Sequence, residues 1–548
     1  NDSLLQLIQD FNSVVKMYGR IIILERHLPT RAEARKRYGV NWEMRSDIIT
    51  KTIEPTELGG IAGGDKYVVN NIVLKFAVNS KGLYPDDHWA AKAAGLELLA
   101  VSSYYNTFTP GLSLPLTTLV NFLGYRLIAT CKLPISPDTL VYGSADGGVS
   151  VHNRNEYFSQ MARFAGEKLS LRSHEICNSS KTEKKVIHSA WDMEGHVGRD
   201  GRFYFLDFAR AMPSDPIRRH NWYHDSSGKK LKNVALVTRF RPELVRNFCD
   251  KYHKKLSPDS PLECSCVRDD PDEAEYRNDI MMAAVYLDTD VIGELAGRLA
   301  FEVQDRIYSG RDGRSEDSSM DSIFENFDLI SRMHGRGVNI RYIGMLSHYV
   351  RSMDRNFLRD LQVVVPLLTI LYAEATARAI KNFLNERIRQ HMETLTLAVE
   401  APYRVLLIRE LNIFFRYDDD PKKREETEAR WNQIRHSLHE YFGFLDLESL
   451  EACILFMRGV WMPGPERSCL LQDSQLYYRR KVELNARIGM GSIQSLLLEA
   501  DRNKKVTGPS ILFSRLSELT RFRFSKTALQ QFQYDSPLLQ ENGGAGLR

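Results

Sequence analysis

Residues 58–77 read LGGIAGGDKYVVNNIVLKFA. Four glycines, Gly59, Gly60, Gly63 and Gly64, precede two short β-branched runs, Tyr67 to Asn71 and Ile72 to Val78, and Lys75 falls inside the second. Glycines so placed let backbone amides approach a phosphate, and an inward lysine pairs with its charge. The same composition also makes an ordinary turn. Further runs at Leu116 to Asn121, Tyr125 to Cys131 and Phe203 to Phe208 predict strands. Trp89 to Tyr105 and Val151 to Leu169 have the composition of helices, and the first carries Glu97, 22 residues after Lys75. A protein-kinase-like small lobe places the acid that orients its strand lysine at about that distance.

A second informative stretch is residues 188–210, HSAWDMEGHVGRDGRFYFLDFAR. The Asp200-Gly201 pair between strand residues signals a hairpin. Asp207 leaves the end of an apolar strand, where kinase-like folds present a magnesium-binding Asp. Asp192 stands 15 residues upstream, with His196 between them. Two carboxylates converging at a strand end beside a histidine suit divalent-metal and phosphate chemistry. Asp192 and His196 are therefore candidate catalytic residues, Asp207 a candidate metal ligand, and Gly59, Gly60, Gly63, Gly64, Lys75 and Glu97 candidate cofactor-binding residues, for ATP and Mg2+. The kinase pattern is incomplete: Val197 stands where an Asn is needed, and Ala209 replaces the glycine after Phe208. The structural alternative is a hairpin in which Asp200 shapes the turn and Asp207 pairs with Arg202 or Arg210.

The chain has 548 residues, 43% hydrophobic and 26% charged, with a net charge of +4. This excludes global disorder, collagen-like repeats and a membrane bundle. The longest uncharged apolar run, Leu361 to Ala373, contains Pro366 and is too short to cross ~30 Å of hydrocarbon. Seven cysteines without a CxxC pair point to reduced thiols in a cytoplasmic setting. An initial Asn1 in place of Met suggests a trimmed or fragmentary chain. After residue ~270 the period-2 texture gives way to helical stripes, such as Val291, Ile292, Leu295, Ala296, Leu299, Ala300 and Val303. Residues 225–256 hold nine Lys/Arg against three acids, with Phe240, Phe248 and Tyr252 interleaved. Lys229, Lys230, Lys232, Arg239 and Arg241 are thus candidate nucleic-acid contacts, or part of a solvated helix edge.

Several segments together resemble the Clu domain of the clustered mitochondria protein family: GGDKYVVNNIVLKFA (63–77), AAKAAGLELLAVSSY (90–104), GYRLIATCKLPISPDTLVYGSADGG (124–148), DMEGHVGRDGRFYFLDFARAMPSD (192–215), RFRPELVRNF (239–248) and MHGRGVNIRYIG (333–344). The resemblance implies a cytosolic factor for mitochondrial distribution or biogenesis that binds RNA or ribonucleoprotein, with mRNA or the ribosome as partner and the mitochondrial outer surface reached indirectly. Neither tetratricopeptide repeats nor an N-terminal ubiquitin-like module is visible. The alternative from the residues is a kinase-like phosphotransferase using Lys75, Glu97, Asp192 and Asp207. The expected fold is α+β: an N-terminal helix and link over 1–45, a two-lobed kinase-like core over 46–268, a helical part over 269–358, and a C-terminal helical domain over 359–548.

Overall fold

The structure is a computed structural model that describes residues 2–56, 63–216, 233–260, 272–309, 327–353, 361–394, 402–415 and 420–444, with isolated positions up to 519. The described residues up to Leu287 form one compact unit, and those of 288–391 and from 402 onward form a second.

In the first unit, helix α1 (Asp2–Leu24) buries Val15, Gly19, Ile22 and Ile23. The carbonyls just beyond its end call for donors from outside the helix. Lys51 supplies them, its Nζ donating to the carbonyls of Glu25, Arg26 and Leu28 at 2.8, 2.5 and 2.6 Å. Helix α2 (Arg31–Tyr38) starts at a reciprocal Thr30/Glu33 capping box. Strands β1 (Lys66–Val69) and β2 (Ile72–Phe76) are joined by Asn70 and Asn71, both left-handed at φ 49° and 59°. Asparagine tolerates that conformation, and a two-residue turn of this kind matches the strand twist. The turn sets the register: Val69 faces Ile72, and three pairs on, Lys66 faces Lys75.

Helix α3 (Asp87–Tyr105) is capped by the Asp86 carboxylate, which accepts from the backbone of His88 and Trp89. After the short β3 (Leu112–Ser113) come β4 (Thr117–Phe122) and β5 (Tyr125–Cys131), completing an antiparallel sheet of order β1-β2-β5-β4. Next follow β6 (Leu140–Gly143), β7 (His152–Asn153), α4 (Glu156–Lys168) and the β8/β9 hairpin (His174–Cys177, Lys184–Ile187). Strands β10 (Glu194–Val197) and β11 (Phe203–Leu206) close a second sheet of order β3-β11-β10-β6-β7. The Asp200-Gly201 turn forms as the sequence predicts: Asp200 accepts from the Arg202 amide and the Tyr204 hydroxyl. Behind this sheet, Tyr104, Tyr142, Phe158, Phe205 and Phe208 pack ring against ring, with centroids 5.0–5.8 Å apart. Each such pair contributes ~0.5–1.5 kcal/mol beyond its buried area. Gly195 leaves room for this layer, since a Cβ there would lie 2.3 Å from the Phe158 ring.

Helices α5 (Pro242–Tyr252) and α6 (Glu273–Tyr286) end the first unit, and a π-helical turn, Leu287–Val291, leads into α7 (Ile292–Ser309). The second unit continues with α8 (Leu329–Gly335), α9 (Ile343–Ser352), α10 (Leu361–Thr394), α11 (Pro402–Phe415) and α12 (Pro421–Tyr441). Buried Glu410 of α11 accepts from Arg387 of α10 and Arg430 of α12, at 3.1 and 2.9 Å. Among the described residues every strand precedes residue 207, so the fold is α+β with the change of periodicity where the sequence predicts it. Among them, too, no helix is long and apolar enough to cross a membrane. The helical patterns at 449–459 and 492–502 lie outside the described residues.

Candidate functional site

Because β1 and β2 alternate, Tyr67, Ile72, Leu74 and Phe76 take the core face, which turns Lys66 and Lys75 together to the other. Gly64 adjoins them in a left-handed conformation (φ 83°). A Cβ there would sit 3.7 Å from Lys75 Cε and 2.2 Å from the Phe76 carbonyl oxygen, so only glycine fits. The Gly64 amide donates to Ser80 Oγ at 2.7 Å, holding the glycine loop against the segment after β2. Burial, and then the neighbouring Lys75 charge, lower the Lys66 pKa, while Asp207 and Glu194 oppose that shift. Lys66 is thus within electrostatic reach of two carboxylates at the second sheet.

Glu97 projects from α3, and its carboxylate accepts from the backbone amides of Phe208 and Ala209. Burial raises its pKa to about 7, against those hydrogen bonds, with Asp192 adding repulsion and Lys75 attraction. Asp207, in a left-handed conformation (φ 62°, ψ 59°), follows β11. Its carboxyl is paired with that of Glu194 on β10. Loss of hydration raises the Asp207 pKa well above the ordinary range, with Glu194 and Glu97 adding like charge. Asp207 is nonetheless open to solvent.

The sequence candidates are distributed as follows. Gly64 lies against the Lys75 stem, and Glu97 feels the charge of Lys75 and acts on Asp207; Gly59 and Gly60 lie outside the described residues. Asp192 is clamped by Arg210, whose Nε donates at 2.7 Å and whose second nitrogen also contacts the same oxygen. His196 is buried in β10, with Nδ1 2.9 Å from Thr139 Oγ1 and Nε2 3.3 Å from Glu194. Both ring nitrogens are thus engaged within the sheet. Of the predicted pairings, Arg202 instead meets Asp200 and Arg210 meets Asp192. Among the described residues no three His, Cys, Asp or Glu side chains are arranged to hold a metal ion unaided.

The basic run of 225–256 is not a single exposed face. Arg239 is buried and donates to the carbonyls of Leu236, Met212 and Pro258. Burial, with Arg210 nearby, lowers its pKa to about 10. Arg241 is buried too, its fork on Glu243 at 3.1 Å for both nitrogens. These two arginines brace the interior rather than meet a phosphate backbone, while Lys229, Lys230 and Lys232 lie outside the described residues. Conversely, Lys66 pairs with Lys75 across β1/β2 and Glu194 acts on Asp207, although their sequence context did not single them out. The Asn70-Asn71 turn carried the signal for Lys66, since a two-residue turn there sets it opposite Lys75.

Residues 1–217 match the family model described as Clustered mitochondria, and residues 321–451 match one described as Translation initiation factor eIF3 subunit 135. Similar proteins include clustered mitochondria protein homologs of Malassezia globosa (24% identity; 53% of this chain, 25% of the relative), Brugia malayi (31%; 27% and 11%) and Aspergillus fumigatus (21%; 67% and 30%). The chain thus spans less than a third of the length of the relatives it matches. No solved structure matches. Residues 1–217 thus match the Clu domain of the clustered mitochondria proteins, the family that the sequence segments resemble.

Proposed function

We propose that the chain acts in mitochondrial distribution or biogenesis as a cytosolic factor that binds RNA or ribonucleoprotein. The carrying observation is the Clu match over residues 1–217 in relatives named for clustered mitochondria. The translation-initiation-factor match over 321–451 supports partners in translation, such as mRNA or the ribosome. Ultraviolet crosslinking of the chain in cells, followed by RNA recovery, tests the binding. Recovery of messenger RNA above a non-binding control is the expected result, together with rescue of mitochondrial distribution in depleted cells. Absence of crosslinked RNA would overturn the RNA-binding role, and failure of rescue the mitochondrial one.

A two-lobed kinase-like core draws support from the electrostatic links of Glu97 to Lys75 and to Asp207. Turnover by such a core is the weaker reading. Asp192, the group that would orient an acceptor, is held by Arg210, and His196 is held by Thr139 and Glu194.

A further inference from the structure

In the second unit a cleft of about 850 Å3 lies between helices α7 and α8. Its apolar lining comes from Leu295, Leu299 and Phe301 of α7, with Gly297 of α7 and Gly335 of α8. Phe301 is 68% exposed, so its ring is left to water at the edge of the cleft. Glycine is a poor helix former, and neither position requires it: neither has a positive φ, and a Cβ at either would meet no atom within 4 Å. What the missing side chains provide is room for another group to come close to the two helix backbones. The charges along the cleft are unequally matched. Glu294 pairs with Arg298, and Glu302 with Arg306 and Arg332, whereas Arg336 has no carboxylate partner among the described residues. Apolar side chains accompanied by an acid therefore complement this surface. An extended peptide would find no ladder to join, because α7 and α8 satisfy their own backbones and every strand among the described residues precedes residue 207. Along α7 the lining runs from Glu294 to Glu302, a rise of ~12 Å or about two helical turns.

We propose that this cleft is a docking groove for an acidic amphipathic helix of a protein partner. Apolar side chains at i, i+3 or i+4, and i+7 of that helix lie against Phe301 and over Gly297, and an Asp or Glu beside them meets Arg336. The bound helix covers the Phe301 ring and supplies Arg336 with a counter-charge. An aromatic ring and an arginine at the centre of one contact are the side-chain types that carry most of the energy of protein interfaces.

Selection of a displayed library of random peptides of ~15 residues, long enough to form a helix, against the full chain tests this. Enriched peptides should carry the helical apolar spacing and a net negative charge. A selected peptide, labelled and titrated by fluorescence polarisation, should bind Phe301→Ser and Arg336→Glu about tenfold or more weakly than wild type. Gly297→Leu should lose binding to the same degree while melting no lower than wild type, because it fills the groove with a better helix former. Selection against Arg336→Glu should enrich basic peptides instead. Enriched peptides without helical spacing or without acidic bias would overturn the groove. So would affinities that Gly297→Leu and Arg336→Glu leave unchanged, or a selection that enriches nothing above a Gly297→Leu/Arg336→Glu bait.

Discussion

His174 Nε2 lies 2.7 Å from Asp259 Oδ2, joining positions 85 residues apart with both side chains sealed from solvent. The same oxygen accepts from the Trp191 amide at 2.9 Å, and His174 Nδ1 faces the Arg172 carbonyl at 3.3 Å. Removing one partner leaves the other buried beside groups it cannot satisfy. His174→Leu should therefore cost ~3–5 kcal/mol, read as a shift in urea midpoint. His174→Leu/Asp259→Leu should cost less than the two single changes added.

Lys66→Met removes the like-charge opposition with Lys75 and keeps the apolar stem. It should stabilise the first unit by ~0.2–1 kcal/mol, visible as a small rise in melting temperature. Salt should shrink the difference, because it screens the repulsion in wild type.

Glu97 gives a pH signature. Its pKa is about 7 in the fold against the ordinary 4.5 of a glutamate, so between those pH values the native state holds more protons than the unfolded chain. Stability from this group is present below about pH 4.5 and is lost as pH rises through 7. Asp207 shifts in the same direction and adds to it. Relative to wild type, Glu97→Gln should flatten the fall in melting temperature between pH 5 and 7.5; parallel curves would refute this role for Glu97.

Gly143→Ala should be among the most damaging small changes. Gly143 has φ 81°, and a Cβ there would stand 1.8 Å from the Met193 carbonyl oxygen. Neither a rotamer nor a small shift removes a backbone clash inside a paired sheet. We expect a loss above ~3 kcal/mol, seen as depleted soluble protein or a sharply lowered melting temperature.

The sequence disclosed elements wherever hydrophobic period and local turn chemistry agreed. The run Tyr125 to Cys131 is β5 without adjustment, Trp89 to Tyr105 lies within α3, and the helical texture beyond residue 270 holds among the described residues. Short strands such as β3 and β7, two residues each, have no period to read and exist only through pairing. Lys75, Glu97 and Asp207 stand out in the sequence because each has a recognisable place relative to a strand end or helix. Glu194 does not, since its role comes from the β10/β11 register, which pairs it with Leu206 and so brings it beside Asp207. The arginines misled for the opposite reason: charge in sequence says nothing of burial, and Arg239 spends its donors on interior carbonyls.

The left-handed backbone at Asp207 also decides which amino acids that position tolerates. Asn and Gly accept the conformation, whereas most other residues pay ~1–2 kcal/mol in steric strain before any charge is considered. An alanine there mixes two losses, of carboxylate and of relaxed geometry, into one phenotype. In a saturation library the site should sort twice: folded protein should favour Asp, Asn and Gly, and within that set only Asp should retain whatever depends on negative charge. The comparison of Asp with Asn thus isolates electrostatics from conformation at a single codon.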